Sequence, residues 1–334
     1  MTSATATRPP APRRSPLAPR GTVWTALRVH GTALWIWAAL VTVTAAGLLW
    51  AYGLGADGVR EWNRAAAACL LEPTCVDSAL DGPAYGLYDV VASLTASAIV
   101  YLPCLVAAWA GATLVARDLE NGTAALAWTQ SVTPVRWLAA QLAVPAALVT
   151  AGTTLLVLLH RLMWTDGREL LGQEWHESDV YRSNGTVTIA AALCALAVGA
   201  LAGMLLRRAL PALGLAVAVT LALLVLEDLC RDSMWPAVTV TGTAASRLPD
   251  SAELLERGVV LTSGERVADS PACVDGTGAG LRRCMSEHGI SDLYAAYHPS
   301  SHFWPLQLTE TAVLLAIAAL AVFLTFRTLK RRTA

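Results

Sequence analysis

Apolar residues in this chain are gathered into unbroken runs rather than spread at strand or surface-helix spacing. Six such runs predict helices at 33–52, 90–112, 138–159, 187–206, 211–226 and 311–326, with the fifth starting near Ala209 and continuing toward Glu227. None of these windows contains Asp, Glu, Lys or Arg. Most are close to the 20 apolar residues that cross a bilayer, so the pattern predicts a multi-pass membrane protein. Pro103 and Pro145 fall within the second and third runs, where a kink is expected. The polar stretches between runs predict a disordered basic tail at 1–31, five spans within 32–229, an outer loop domain at 230–307, and a last span with a second basic tail at 308–334.

Short patterns fill in the outer loop domain. Asp250-Ser251 ahead of Ala-Glu-Leu-Leu-Glu-Arg and Gly258 predicts a two-turn capped helix. Val259–Thr262 and 265–267 around Ser263-Gly264 predict a small hairpin, and 281–288 ending at Gly289 a short helix.

Composition supports the membrane reading. The 334 residues are 55% hydrophobic and 15% charged, against about 45–50% and about 25% in soluble domains. A soluble enzyme is excluded by that balance. A net charge of −1 offers no basic field for nucleic acid. The single lysine, Lys330, follows Leu329 rather than glycine, so the chain carries no P-loop of its own.

Charge placement orients the spans. The N-terminal tail, the 116–137 segment, Arg207-Arg208 and the C-terminal tail together hold 13 basic residues against two acids, Asp118 and Glu120. The other loops hold the remaining 11 basic and 23 acidic residues. Positive loops face the cytoplasm, so both termini are expected there, in the plasma membrane. Cys69, Cys75, Cys273 and Cys284 then lie on the oxidising side, where Cys69–Cys75 and Cys273–Cys284 are the nearest-neighbour disulfide candidates; spacing alone leaves the connectivity open. Cys104 and Cys194 read as small apolar filler inside spans.

No acid or base lies at membrane depth to bind a driving ion, so energy for transport is expected from a cytoplasmic partner. Glu227, Asp228 and Glu310, at outer helix ends, read as solvated interface residues. His298 and His302 read as a surface loop rather than metal ligands, because Pro299 interrupts their helical spacing. Asn121 and Asn184 match the glycosylation tripeptide by chance.

The segment 116–137 carries the most information. Gly122 can end one helix, Thr133 can cap the next with Pro134 in its first turn, and Trp128 suits the membrane interface. Its strings Asp118-Leu-Glu120-Asn-Gly122-Thr123, Leu126-Ala-Trp128-Thr129-Gln130-Ser131 and Arg136-Trp137-Leu138 resemble the corresponding segment of actinobacterial ABC-2-type transporter permeases. The string Tyr297-His-Pro-Ser-Ser-His-Phe303-Trp304-Pro-Leu-Gln307 resembles a second stretch of the same permeases. This resemblance implies an all-α integral membrane fold of six transmembrane helices with a small extracellular cap between helices 5 and 6. It also implies a non-enzymatic permease half that binds no cofactor. ATP and Mg are expected in a separate ATP-binding cassette subunit. Glu120, Gly122, Thr123, Trp128, Gln130 and Arg136 become candidate coupling residues toward that subunit. The unit is expected to pair two permease halves, as a homodimer or heterodimer within the lipid bilayer, and to export lipophilic or amphipathic molecules. The competing expectation is a non-transporting sensor or scaffold whose outer cap binds a ligand.

Overall fold

In the computed structural model, residues 31–69, 83–124, 128, 133–268, 273 and 278–333 are described. The 1–31 tail, Cys75 and Gln130 therefore carry expectations that lie, apart from Gly31, outside the described residues. Six helices among those described are long and apolar enough to cross a membrane.

The first run forms α1 (Gly31–Trp50), which passes through a π turn at Ala51–Gly55 directly into α2 (Ala56–Cys69). The second run is not one helix. It divides into α3 (Pro83–Val100) and α4 (Leu102–Trp109), because Pro103 has no N–H to donate back across the junction. Tyr101 sits between them at φ −88°, ψ −2°. A second π turn, Ala110–Leu114, leads to α5 (Ala116–Glu120). Helix α6 spans Pro134–Leu171 and α7 spans Ser178–Ser183. Helix α8 (Val187–Leu206) matches its predicted window residue for residue, and α9 covers Ala209–Cys230. The last helix, α11 (Phe303–Thr333), begins well before residue 308.

Helix α8 is the axis of the bundle, packing on α4, α6, α9 and α11. Small residues permit that approach, as expected where lipid supplies no hydrophobic drive between helices. A Cβ on Gly199 would lie 2.8 Å from the Gly111 backbone nitrogen, and one on Gly111 would lie 2.7 Å from the Ala212 carbonyl oxygen. The outward faces carry exposed Trp35, Val43, Leu94, Leu158 and Phe323, the surface a bilayer would cover.

The region between α9 and α11 is a four-stranded antiparallel sheet in the order β1-β4-β2-β3, formed by Val238–Thr241, Glu253–Leu261, Arg266–Ala268 and Ile290–His298. The expected helix beginning at Asp250 is instead β2. Its good helix formers are overridden by pairing with β4 on one edge and β3 on the other, in registers such as Val259↔Leu293 and Val259↔Val267. Gly258 is required there, since a Cβ would strike the Val267 carbonyl oxygen. The β2–β3 hairpin forms as predicted, with Gly264 at φ 87° in its turn. The short helix is α10 (Gly278–Glu287), and Cys273–Cys284 form the expected disulfide. Cys69 is also disulfide-bonded.

Candidate functional site

Two polar assemblies stand out, one at each end of the bundle. At the elbow end, α5 and the following turn fold back onto the spans. Gly122 takes φ 72°, a left-handed value that glycine adopts without strain, and so allows the reversal after Glu120. Asp118 holds the turn from both sides. Its Oδ1 accepts from Thr123 Oγ1 at 3.1 Å and its Oδ2 accepts from Gln141 Nε2 of α6 at 3.1 Å. Glu120 Oε2 accepts from the Ala209 N–H at 2.8 Å. Ala209 opens α9, whose N-cap position, Arg208, makes no side-chain cap. Glu120 therefore supplies the missing cap from another helix, placing its charge at the positive end of the α9 dipole. Thr133 caps α6 as expected, accepting from the Arg136 N–H at 3.4 Å.

Trp128 is half-buried and meets Trp137 edge-on, with ring centroids 5.9 Å apart. Glu120, Gly122, Thr123 and Arg136 are exposed. The elbow thus brings five of the six candidate coupling residues to one end, and Gln130 lies outside the described residues. Arg117, Arg136, Arg207, Arg208 and Arg331 are exposed at this same end, and Arg332 Nη1 donates to the Met204 carbonyl at 2.7 Å, closing the end of α8. Asp118, not named as a coupling residue, was missed because its tie to Gln141 spans 23 residues of sequence.

At the cap end, the Phe-Trp-x-x-Gln string gains a structural meaning. Phe303 packs edge-on against Trp175 and Tyr181, at 6.2 and 5.7 Å between centroids. The Arg161 guanidinium lies 5.0 Å over the Trp304 ring. Gln307 has no exposed surface; its Nε2 donates to the Tyr181 carbonyl at 2.8 Å and its Oε1 accepts from the Val187 N–H at 3.0 Å. It caps α8, where Thr186 makes no side-chain cap. The motif therefore locks α7, α8 and α11 together. Asn184 is buried and meets His160 Nδ1 at 2.8 Å, which leaves no room for a glycan.

Beside this lock lies a buried ionic group that overturns the solvated reading of two acids. Glu227 is 7% exposed and Glu310 is 1% exposed. Asp228 does face solvent in part, and it pairs with Arg182 at 3.4 Å and Arg231 at 3.9 Å. Arg231 also reaches Glu253 of β2 at 3.5 Å and lies 4.8 Å over the Tyr181 ring. Burial pushes the Glu253 carboxyl above the usual range, with Arg231 opposing it. Burial, followed by the Glu310 carboxyl, likewise raises the Tyr181 phenol. His298 is fully buried rather than in a surface loop, with Nδ1 2.9 Å from His302 Nδ1 and Nε2 3.2 Å from the Asp232 carbonyl. Trp175 Nε1 donates to the Ser251 carbonyl at 2.7 Å, a further tie between bundle and sheet.

Between α1, α4 and α6, Trp37, Leu105, Trp109, Pro145 and Leu148 line part of an apolar cavity of about 240 Å³ that opens onto the outward face, where Ile36 and Leu105 are exposed.

No curated protein and no solved structure matches the chain. The model of one family, described as ABC-2 membrane transporter related, matches residues 35–231. That match takes in five spans and the whole elbow, more than half of the chain. The protein therefore belongs to the ABC-2 membrane transporter related family, and is a multi-pass membrane permease.

Proposed function

We propose that the chain is the membrane half of an ATP-driven exporter of lipophilic or amphipathic molecules, powered by a separate ATP-binding subunit that docks on residues 116–137. The observation that carries the reading is the construction of the elbow within the family match. Its exposed turn is fastened to α6 through Asp118–Gln141 and to α9 through Glu120–Ala209. A push on the turn is thereby delivered to two spans rather than absorbed by a slack loop. Rocking of packed helices about a shared path would convert that push into alternating access. Two permease chains and two ATP-binding subunits would form the unit, with the elbow end and both termini in the cytoplasm. ATP and Mg would be held entirely by the partner.

The cavity supports the cargo class. Its lining is aromatic and aliphatic, with the Trp37 and Trp109 indoles beside it, which suits a hydrocarbon or ring system more than a sugar or ion. Inverted membrane vesicles carrying the chain and its cognate ATP-binding subunit test direction and cargo together. ATP-dependent accumulation of a lipophilic fluorescent dye inside them is expected. Accumulation of a polar solute but not of the dye would overturn the cargo class, and ATP-dependent loss of preloaded dye would overturn the direction.

A further inference from the structure

The buried acids at the cap end are not used by the mechanism above. Glu227 comes from α9 and Glu310 from α11, and their carboxyls face one another. Both lie inside the protein, and neither takes part in an ion pair within 4 Å among the described residues. The groups around them are Tyr181 and Arg182 of α7, Cys194 of α8, Asp228 of α9, and Arg231. Each arginine is engaged elsewhere. Arg182 donates to the Leu224 carbonyl at 2.7 Å and pairs with Asp228, and Arg231 pairs with Asp228, Asp232 and Glu253.

Counting donors shows what is missing. Among the described residues, both oxygens of Glu227 and Oε1 of Glu310 are buried without a well-formed hydrogen bond, as is the hydroxyl of Tyr181, a residue only 1% exposed, which points at Glu310. Nε and Nη1 of Arg231 are likewise without one, but they lie 3.9 Å from Asp232 and Asp228 and do not come within 4 Å of either glutamate. Ionised carboxylates only accept, so two of them side by side have nothing to share. Two unpaired like charges inside the protein would also repel at close range. One added proton repairs both defects. A protonated carboxyl donates to its neighbour, the Tyr181 hydroxyl donates to the pair, and one negative charge remains beside the two arginines.

We infer that Glu227 and Glu310 form a proton-binding site at the junction of bundle and cap, holding one proton between them. The site is a property of the cap end and does not depend on the docking of an ATP-binding subunit.

Infrared spectroscopy of the purified full-length protein in lipid nanodiscs tests this directly. At about pH 7, where exposed carboxyls are ionised, the wild type should show a protonated-carboxyl stretch that shifts in D2O. Glu227→Gln and Glu310→Gln each place an amide donor where the proton sat, so each should lose that band. Asp228→Asn should keep it. Absence of the band in the wild type overturns the proposal whatever the variants do. Its persistence in both folded glutamine variants overturns the assignment to this pair.

Discussion

Removing Gln307 should destabilise the junction of α7, α8 and α11 at the cap end. The side chain bonds two buried backbone groups, the Val187 N–H and the Tyr181 carbonyl. In Gln307→Leu the volume is nearly kept, so the loss is polar rather than a cavity. Leaving a buried donor or acceptor unpaired costs about 1–3 kcal/mol each. Side-chain hydrogen bonds between membrane helices average only about 0.6 kcal/mol, up to about 1.7, because the unfolded chain in the membrane also finds partners. Between those bounds, a loss of about 2–4 kcal/mol is expected. Cys194, buried in α8, provides the readout. In a background of Cys104→Ser and Cys230→Ser, the temperature at which a thiol-reactive dye labels Cys194 reports unfolding of the bundle axis. A fall of at least about 4 °C is expected for Gln307→Leu. Gly185→Ala gives a cross-check, since its new methyl would strike the Gln307 amide. Paired with Gln307→Ala, it should destabilise by less than the sum of the two single changes. An unchanged midpoint in Gln307→Leu, or strict additivity in the pair, would refute the lock.

Other expectations follow from the same geometry. Glu120→Ala removes the cap of α9 and should cost about 0.5–2 kcal/mol of stability, read by the same dye assay, whereas Glu120→Asp should fall short of the Ala209 N–H and recover only part of it. Gly199→Leu should prevent α8 from seating against Gly111 and abolish the folded, monodisperse peak in size-exclusion chromatography. Opening the Cys273–Cys284 bridge, which closes a separation of 11 residues, should cost the cap about 3 kcal/mol and speed proteolysis there while leaving Cys194 labelling unaltered. The Glu253 carboxyl titrates above its unfolded value, so its contribution is full below the unfolded carboxylate range and is lost as pH rises through the folded value. Resistance of the cap to proteolysis should therefore fall as pH rises, and Glu253→Gln should flatten that dependence.

What the sequence revealed depended on whether the deciding interaction was local. Helix α8 was legible to the residue because its ends are marked by polar turns and nearly every residue between them is apolar. Helices α6 and α11 ran past their predicted limits, since hydropathy marks where the hydrocarbon ends and not where the hydrogen-bonded helix does. The elbow was legible through Gly122 and Thr133, whose roles are set by their own backbones. The role of Glu120 as a cap was hidden, because its partner lies 89 residues away. Strand β2 was misread for the same reason, its pairing with β4 outweighing the helix preference of Glu253–Arg257. The buried acids left one faint signal. Thr220, Leu224 and Glu227 recur at i, i+4 and i+7, and Gln307, Glu310 and Leu314 at i, i+3 and i+7, so each acid continues an inward stripe rather than the solvent face. The family resemblance was confirmed over residues 35–231, a range that holds the 118–138 strings and ends before the 297–307 string.

We place the docking of an ATP-binding subunit on the permease at the elbow. Purification of the tagged full-length chain from its native membrane in mild detergent, with identification of what accompanies it, tests that most directly. A stoichiometric ATP-binding subunit is expected with the wild type, and should be lost when 128–136 is deleted while the spans still fold, as judged by dye labelling of Cys194. A folded, monodisperse wild type that brings down no ATP-binding subunit, or one whose subunit survives the deletion, would rule out docking at the elbow.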